Sequence, residues 1–278
     1  MLIAAIQMNS GASKEANLNA AIRWIREAHR RGAQLVGLPE TFSWLGPEGE
    51  RAGAAEGLEG PTLSAMADLA RALSIHLLAG SILEKPAPGS GDERLFNTSV
   101  LFGPQGQRLA TYRKIHLFDV SLGAAAGDAN PYRESAAVAP GTELATATVS
   151  ETSGSQPVTV GLSICYDLRF PELYRGLSSR GAQLLTVPAA FTLVTGKDHW
   201  EVLLRARAIE NQSYVLAPAQ TGSHGGKRQT YGHSMIVDPW GLVVARASDG
   251  EGLAIAEMNL DLLQDVRQRL PSLRHRRL

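Results

Sequence analysis

The chain has 278 residues, enough to bury a large core but not enough by length to choose between one large α/β domain and two small ones. Hydrophobic residues make up 44%, charged residues 19% and aromatics 6%, a composition of folded globular proteins rather than of disordered or fibrous ones. Lys plus Arg and Asp plus Glu both number 27, so no global field gathers a polyanion, and neither nucleic acid nor an anionic membrane surface is an expected partner.

The opening M-L-I-A-A-I-Q-M lacks a basic leader and is followed by polar Asn9 and Ser10, which predicts a first strand over 2 to 8. No stretch approaches the roughly 18 uninterrupted apolar residues that span a bilayer, so a cytoplasmic protein is expected. A helix over about 14 to 31 begins after Ser13 and stops at Gly32, with Arg30 and Arg31 where the helix dipole favours cations. A strand at 34 to 39 precedes a helix opened by Pro61, whose apolar face is Leu63, Met66, Ala67, Ala70 and Leu73. Strands at 76 to 83, 96 to 102 and 108 to 115 lead into a loop at 118 to 142, a length that in compact domains often belongs to a binding site.

Strands are then expected at 144 to 149, 158 to 164, 183 to 188, 214 to 220, 233 to 238, 242 to 247 and 252 to 258. Between them fall a helix opened by Pro171 and one over 198 to 211, where Glu201 stands four residues before Arg205; a last helix covers 260 to 270. Further loops lie at 85 to 94 and 222 to 231. About a dozen strands exceed one ordinary open sheet, and two sheets face to face with helices outside would hold them. Neither a repeat nor a composition break marks a linker, so residues 1 to 278 read as one domain.

A single cysteine excludes an internal disulfide and multi-cysteine metal frameworks, and the seven histidines form no paired motif; no metal is expected. In V-T-V-G-L-S-I-C-Y-D-L-R-F-P-E, Cys165 stands just past a buried strand, at the edge where α/β sheets collect ligands. It reads either as a small core hydrophobe or as a thiol that meets substrate. Glu40, directly after the strand and proline of Q-L-V-G-L-P-E-T-F, is either an ordinary loop carboxylate or a functional acid. Lys114 in R-L-A-T-Y-R-K-I-H-L-F is likewise either a solvated lysine or a cation placed ahead of the long loop.

Together, L-P-E-T-F around Glu40, Y-R-K-I-H-L-F-D around Lys114 and C-Y-D-L-R-F-P-E-L-Y-R around Cys165 resemble the nitrilase superfamily, the carbon-nitrogen hydrolases, in order and spacing. The similarity runs from residue 1 past the D-P-W-G turn at 238 to 241. It implies an α/β fold, a four-layer α-β-β-α sandwich of the nitrilase type, pairing into a homodimer. It also implies Cys165 as nucleophile, Glu40 as proton carrier, Lys114 as electrophilic stabiliser, the Tyr166 N–H as oxyanion donor, and no cofactor. The family's second active-site glutamate matches Glu134 in P-Y-R-E-S, with Glu143 in P-G-T-E-L as its competitor.

Nitrile-cleaving members usually follow the nucleophile with Trp and Glu, whereas Tyr166 and Asp167 stand here, which implies hydrolysis of a small carboxamide through a cysteine thioester. The segment 189 to 241 resembles the Nit subgroup. That implies cleavage of the 2-oxo acid left when glutathione is transaminated, giving 2-oxoglutarate and cysteinylglycine. An ω-amidase acting on 2-oxoglutaramate is the rival, and a catalytically silent binding protein of the same fold is a third reading. Both substrates carry carboxylates, which need cationic partners away from water. Lys227 and Arg228 on the glycine-rich loop are candidates for the far carboxylate and Arg169 for a nearer one, against a solvated loop and a structural ion pair respectively. Phe191, Thr192 and His199 are candidate pocket walls, with core packing or helix capping as the other reading. The R-H-R-R run at 274 to 277 is a solvated tail or a subunit contact.

Overall fold

Along β1 (Leu2–Gln7), Ile3 and Ala5 point one way and Ala4 and Ile6 the other, and all four are fully buried. Since side chains alternate across a strand, this strand must be covered on both faces. The computed structural model, which describes residues 1–87, 89, 91–121, 132–150, 156–225 and 228–277, shows what covers it. The first half continues with α1 (Lys14–Arg30), β2 (Leu35–Gly37), α2 (Arg51–Ala54), α3 (Pro61–Leu73), β3 (His76–Leu78), β4 (Ile82–Glu84), β5 (Phe96–Phe102) and β6 (Arg108–Arg113). Then come β7 (Asp119–Val120), β8 (Tyr132–Arg133), β9 (Thr146–Val149), β10 (Val158–Leu162), α4 (Pro171–Ser179), β11 (Leu184–Thr186), α5 (Leu193–Asn211) and β12 (Tyr214–Ala217). The chain closes with β13 (Thr221–Ser223), β14 (Gln229–Tyr231), β15 (Met235–Val237), β16 (Val243–Arg246), β17 (Gly252–Glu257) and α6 (Leu260–Arg269).

One sheet has the order β17-β1-β2-β3-β5-β4 with β6 on β5, the other β16-β15-β12-β11-β10-β9. On the outer face of the first, Ala4, Ile6, Val36 and Leu77 pack with Ala21 and Ile25 of α1 and Leu63 and Met66 of α3. Its inner face, with Ile3, Ala5, Leu35 and Leu78, shares a core with Leu184, Leu216 and Ile236 of the second sheet, and that core extends to Leu177 of α4, Trp200 of α5 and Leu263 of α6. The result is a four-layer α-β-β-α sandwich. The sheets approach closely at Gly37, where an added Cβ would lie 3.2 Å from Leu216 and 3.3 Å from Pro218. No helix among the described residues is long and apolar enough to cross a membrane.

Several boundaries differ from those expected of the sequence. The strand expected over 76 to 83 is split at Gly80, whose φ is +26° and where a Cβ would sit 1.9 Å from the Pro39 carbonyl oxygen. Only glycine lets this backbone cross so close to the segment that leads into Glu40. Helix α5 begins five residues before the expected 198, because Thr192 caps it by accepting the Thr195 N–H. The expected loop at 222 to 231 contains the paired β13 and β14, and the long loop at 118 to 142 contains the paired β7 and β8.

Candidate active site

Glu40 lies three residues past β2 and Lys114 directly after β6, both at strand ends of the first sheet; Cys165 follows β10 of the second. Although separated by 74 and 51 positions in the chain, these three line one pocket together with Glu134, which opens a single 3-10 turn after β8. Lys114 is 2% exposed, and burying an ammonium is costly unless carboxylates surround it. Its Nζ donates to Glu40 Oε1 at 3.0 Å and to Glu134 Oε2 at 2.8 Å. Of the two candidates for a second glutamate, Glu134 meets Lys114 and Glu143 is exposed.

Each carboxylate is held in turn. Glu40 Oε2 accepts the Ala190 N–H at 2.9 Å, and Glu134 Oε2 accepts the Phe118 N–H at 2.7 Å. Asn97 Nδ2 donates to both acids, at 2.8 Å to Glu40 and 3.1 Å to Glu134. Two residues of this floor sit at or next to left-handed backbone: φ is +47° at Cys165 and +50° at Thr41. Such conformations cost non-glycine residues about 1–3 kcal/mol and persist only where neighbours over-determine them. At Cys165 the N–H donates to the Pro188 carbonyl at 2.9 Å, and at Thr41 to Ser81 Oγ at 2.9 Å.

The charges follow from these contacts. Burial raises the Glu40 pKa, but the Lys114 charge and hydrogen bonds from Cys165, Lys114 and Asn97 outweigh it and hold Glu40 below the usual carboxylate range. Burial lowers that of Lys114, and the charges of Glu134 and Glu40 outweigh it, so the ammonium is held above lysine's ordinary value. For Cys165, burial and the Glu40 charge push the thiol well up, with Lys114 opposing. The resting arrangement is thus a neutral thiol hydrogen-bonded to an ionised carboxylate, beside a fixed cation.

The walls of the pocket include Trp44, Phe118, Tyr132, Tyr166 and Phe191, with Thr192 and Thr195 beside them, and Arg51, Arg133 and Arg228 complete the lining. Phe191, Thr192, Tyr166 and Arg228 are thus brought to the pocket. Arg169 and His199 are instead bonded to each other, Nη1 to Nδ1 at 3.2 Å, and are not among its lining residues. The Arg169 guanidinium lies 5.1 Å from the Phe191 ring centre and 5.8 Å from that of Tyr166, so it backs the walls. Lys227 lies outside the described residues.

Sequence reasoning passed over Asn97, Arg51, Arg133 and Asp167. The asparagine in the strand F-N-T-S-V-L-F was a readable signal, since a buried amide in a strand needs partners. Asp167, 0% exposed, was visible as a charge placed two residues past the cysteine. Arg51 and Arg133 carry no local signal.

A family model described as carbon-nitrogen hydrolase matches residues 2–268. The curated deaminated glutathione amidase of Synechocystis sp. is 50% identical over 276 residues, covering 99% of this chain and 97% of that one. The crystal structure of the C. elegans NitFhit protein matches with a TM-score of 0.88 and 42% identity over 99% of this chain; the chain spans only 65% of NitFhit's length. A glutamate-to-glutamine variant of the amidase from Nesterenkonia sp. AN1 matches with a TM-score of 0.75 and 29% identity over 98% of each chain. That variant shows the result of Michael addition of acrylamide at its active-site cysteine.

Proposed function

The chain belongs to the carbon-nitrogen hydrolase family, and we propose that it is an amidase of deaminated glutathione, releasing 2-oxoglutarate and cysteinylglycine. The observation that carries the chemistry is the convergence of Cys165, Glu40 and Lys114 on one pocket. The name of the relative that is 50% identical over nearly the whole chain supports the substrate.

In this reading the Cys165 sulfur attacks the amide carbonyl while Glu40 takes its proton. An ordinary thiol is only a few per cent ionised at neutral pH, and this one is pushed further up, so attack and proton transfer must be linked. Charge that builds on the carbonyl oxygen is met by the Lys114 ammonium and the Tyr166 N–H. The C–N bond breaks as Glu40 passes the proton to the departing amine of cysteinylglycine, leaving a thioester on Cys165. Water then attacks that thioester, giving its proton to Glu40, and the second product leaves as the free acid when the thiol is restored. Glu134 holds Lys114 in register throughout.

The substrate's two carboxylates call for cations, and Arg51, Arg133 and Arg228 on the pocket lining supply them. We further propose that residues 1 to 278 act as one domain, in the cytoplasm, and as a homodimer. The dimer is supported by an apolar strip in which Val202 and Ile209 of α5 adjoin Trp240 and Leu242, all four exposed. Gly241 is what brings the two segments together, since a Cβ there would lie 2.5 Å from Ile209.

Incubating the purified protein with deaminated glutathione and with 2-oxoglutaramate, and measuring 2-oxoglutarate, tests the assignment. A higher kcat/KM on the longer amide is expected. Preference for 2-oxoglutaramate would overturn the substrate in favour of an ω-amidase, and activity on neither would leave a binding protein.

A further inference from the structure

The nucleophile and its partners stand on different sheets. Glu40 and Lys114 end strands of the first, whereas Cys165 follows β10 of the second. Their spacing therefore depends on what ties the sheets together at the pocket floor. One tie is the Ala190 N–H on Glu40.

Another is Asp167, a carboxylate with 0% exposure. Its Oδ2 accepts from the Tyr112 hydroxyl at 2.7 Å and from the Ile164 N–H at 2.9 Å. Its Oδ1 accepts from the His116 N–H at 3.0 Å and faces His116 Nδ1 at 2.7 Å. A carboxylate oxygen accepts, so the short ring contact is a hydrogen bond in the form of His116 that carries a proton on Nδ1. Three of the four contacts come from residues that flank Lys114 by two positions on either side, and the fourth from the residue before Cys165. A local cap of the cysteine turn would need only the last of these.

Neighbouring contacts stiffen the same joint. The His116 ring stacks on Phe170, at the end of the cysteine turn, with centroids 3.7 Å apart and planes 6° from parallel. Behind the turn, buried Arg207 donates to the Leu168 carbonyl from Nε at 3.0 Å and Nη2 at 2.8 Å. Neither Tyr112, His116 nor Asp167 is among the pocket's lining residues, so none of them meets substrate there.

We propose that Asp167 is a positioning residue that fixes the distance between the Cys165 sulfur and the Lys114 ammonium by bridging the two sheets. The proposal rests on the reading of Cys165 as nucleophile and Lys114 as stabiliser. Displacing a reacting group by about 1 Å costs on the order of 100-fold in rate, which is the scale at which this joint acts.

The test uses Asp167→Asn, Tyr112→Phe and their combination in the full chain. Asparagine keeps the shape, but its amino group cannot accept a hydrogen bond, so the backbone N–H of either His116 or Ile164 must lose its acceptor. Size-exclusion chromatography and far-UV circular dichroism give the folded fraction, and turnover of deaminated glutathione is expressed per folded site. Asp167→Asn should lower kcat per site by roughly 100-fold with KM changed by less than about twofold, because the reacting groups shift while the rim does not. Tyr112→Phe should lower it by about tenfold, and the double variant should be no worse than Asp167→Asn, since both act through one joint.

A merely structural aspartate would reduce the folded fraction or the melting temperature and leave kcat per site intact. Values within about threefold of wild type, or effects that multiply in the double variant, overturn the proposal. Should Asp167→Asn not fold, Tyr112→Phe and His116→Ala decide on the same criterion. If Cys165→Ala keeps wild-type turnover, the nucleophile reading itself falls and this proposal with it, an outcome visible before any Asp167 variant is assayed.

Discussion

At the floor of the pocket Lys114 is 2% exposed, Glu40 4% and Cys165 7%, and each holds its place through contacts from more than one element. The arginines on its lining are arranged differently. Arg133 is exposed, Arg228 is half-buried, and Arg51 leans on Glu48 at 3.0 Å, a carboxylate with 70% of its own side chain in water. Buried groups with saturated contacts cannot move without breaking a charge pair, which suits chemistry; arginines on short elements and loops, half-buried or exposed, adjust at less cost, which suits recognition of different acids. Under the proposed function, the comparison assigns reaction and selectivity to separate layers of one pocket, and each should be alterable without the other.

The largest break is expected at the sulfur. Cys165→Ala should lower kcat by roughly 10⁴-fold or more, as loss of a nucleophile does elsewhere, without reducing the melting temperature by more than a few degrees; assay and thermal melt check both. Next comes Lys114→Met, which leaves the buried Glu40 and the half-buried Glu134 facing each other without their shared cation. It should destabilise the fold by about 3–5 kcal/mol in urea titration as well as abolish turnover.

Glu134→Gln should lower kcat by about 100-fold with the fold retained, whereas Glu143→Gln should stay within about twofold of wild type. Equal effects from the two would remove the distinction drawn from Lys114. At the rim, Arg228→Ala should raise KM for deaminated glutathione by about tenfold and leave a neutral monoamide unaffected, since only the charged hydrogen bond is lost. A change in kcat of the same size would mean that floor and rim are not separate.

The smallest effect is that of pH. The folded Glu40 pKa lies below its ordinary 4.5, so its ion pair contributes stability that is complete above that value and is lost as pH falls through the folded one. Activity should therefore persist through about pH 5, with its acid limb beneath the usual carboxylate range, in kcat/KM measured against pH. A limb centred above about pH 5 would contradict the depressed acid.

The floor was legible through a resemblance: a cysteine, an acid and a lysine each stand where an apolar strand stops, which by itself left each reading open, and the family-like motifs around them joined the three. Gly32, Ser13 and Pro61 marked helix ends by local chemistry. What was not legible depends on distance. Asp167 meets His116 and Tyr112 across 51 and 55 positions, and nothing in any of the three segments announces the meeting. Nor does sequence reveal that Arg169 turns to His199 rather than into the pocket, because its local context fits either partner. Arg51 rides on a four-residue helix, too short to show a period. The break at Gly80 depends on the Pro39 carbonyl, in the segment after β2, and no pattern within 76 to 83 contains it.

The central claim is that the amide is cleaved through a covalent bond to Cys165. Rapid acid quenching during turnover of deaminated glutathione, followed by mass spectrometry of the intact chain and of its peptides, tests it most directly. The account predicts a 2-oxoglutaryl adduct on the peptide that contains Cys165, accumulating further in Glu40→Gln, where water is no longer activated. Turnover without any such adduct, with full activity kept by Cys165→Ala, would contradict it.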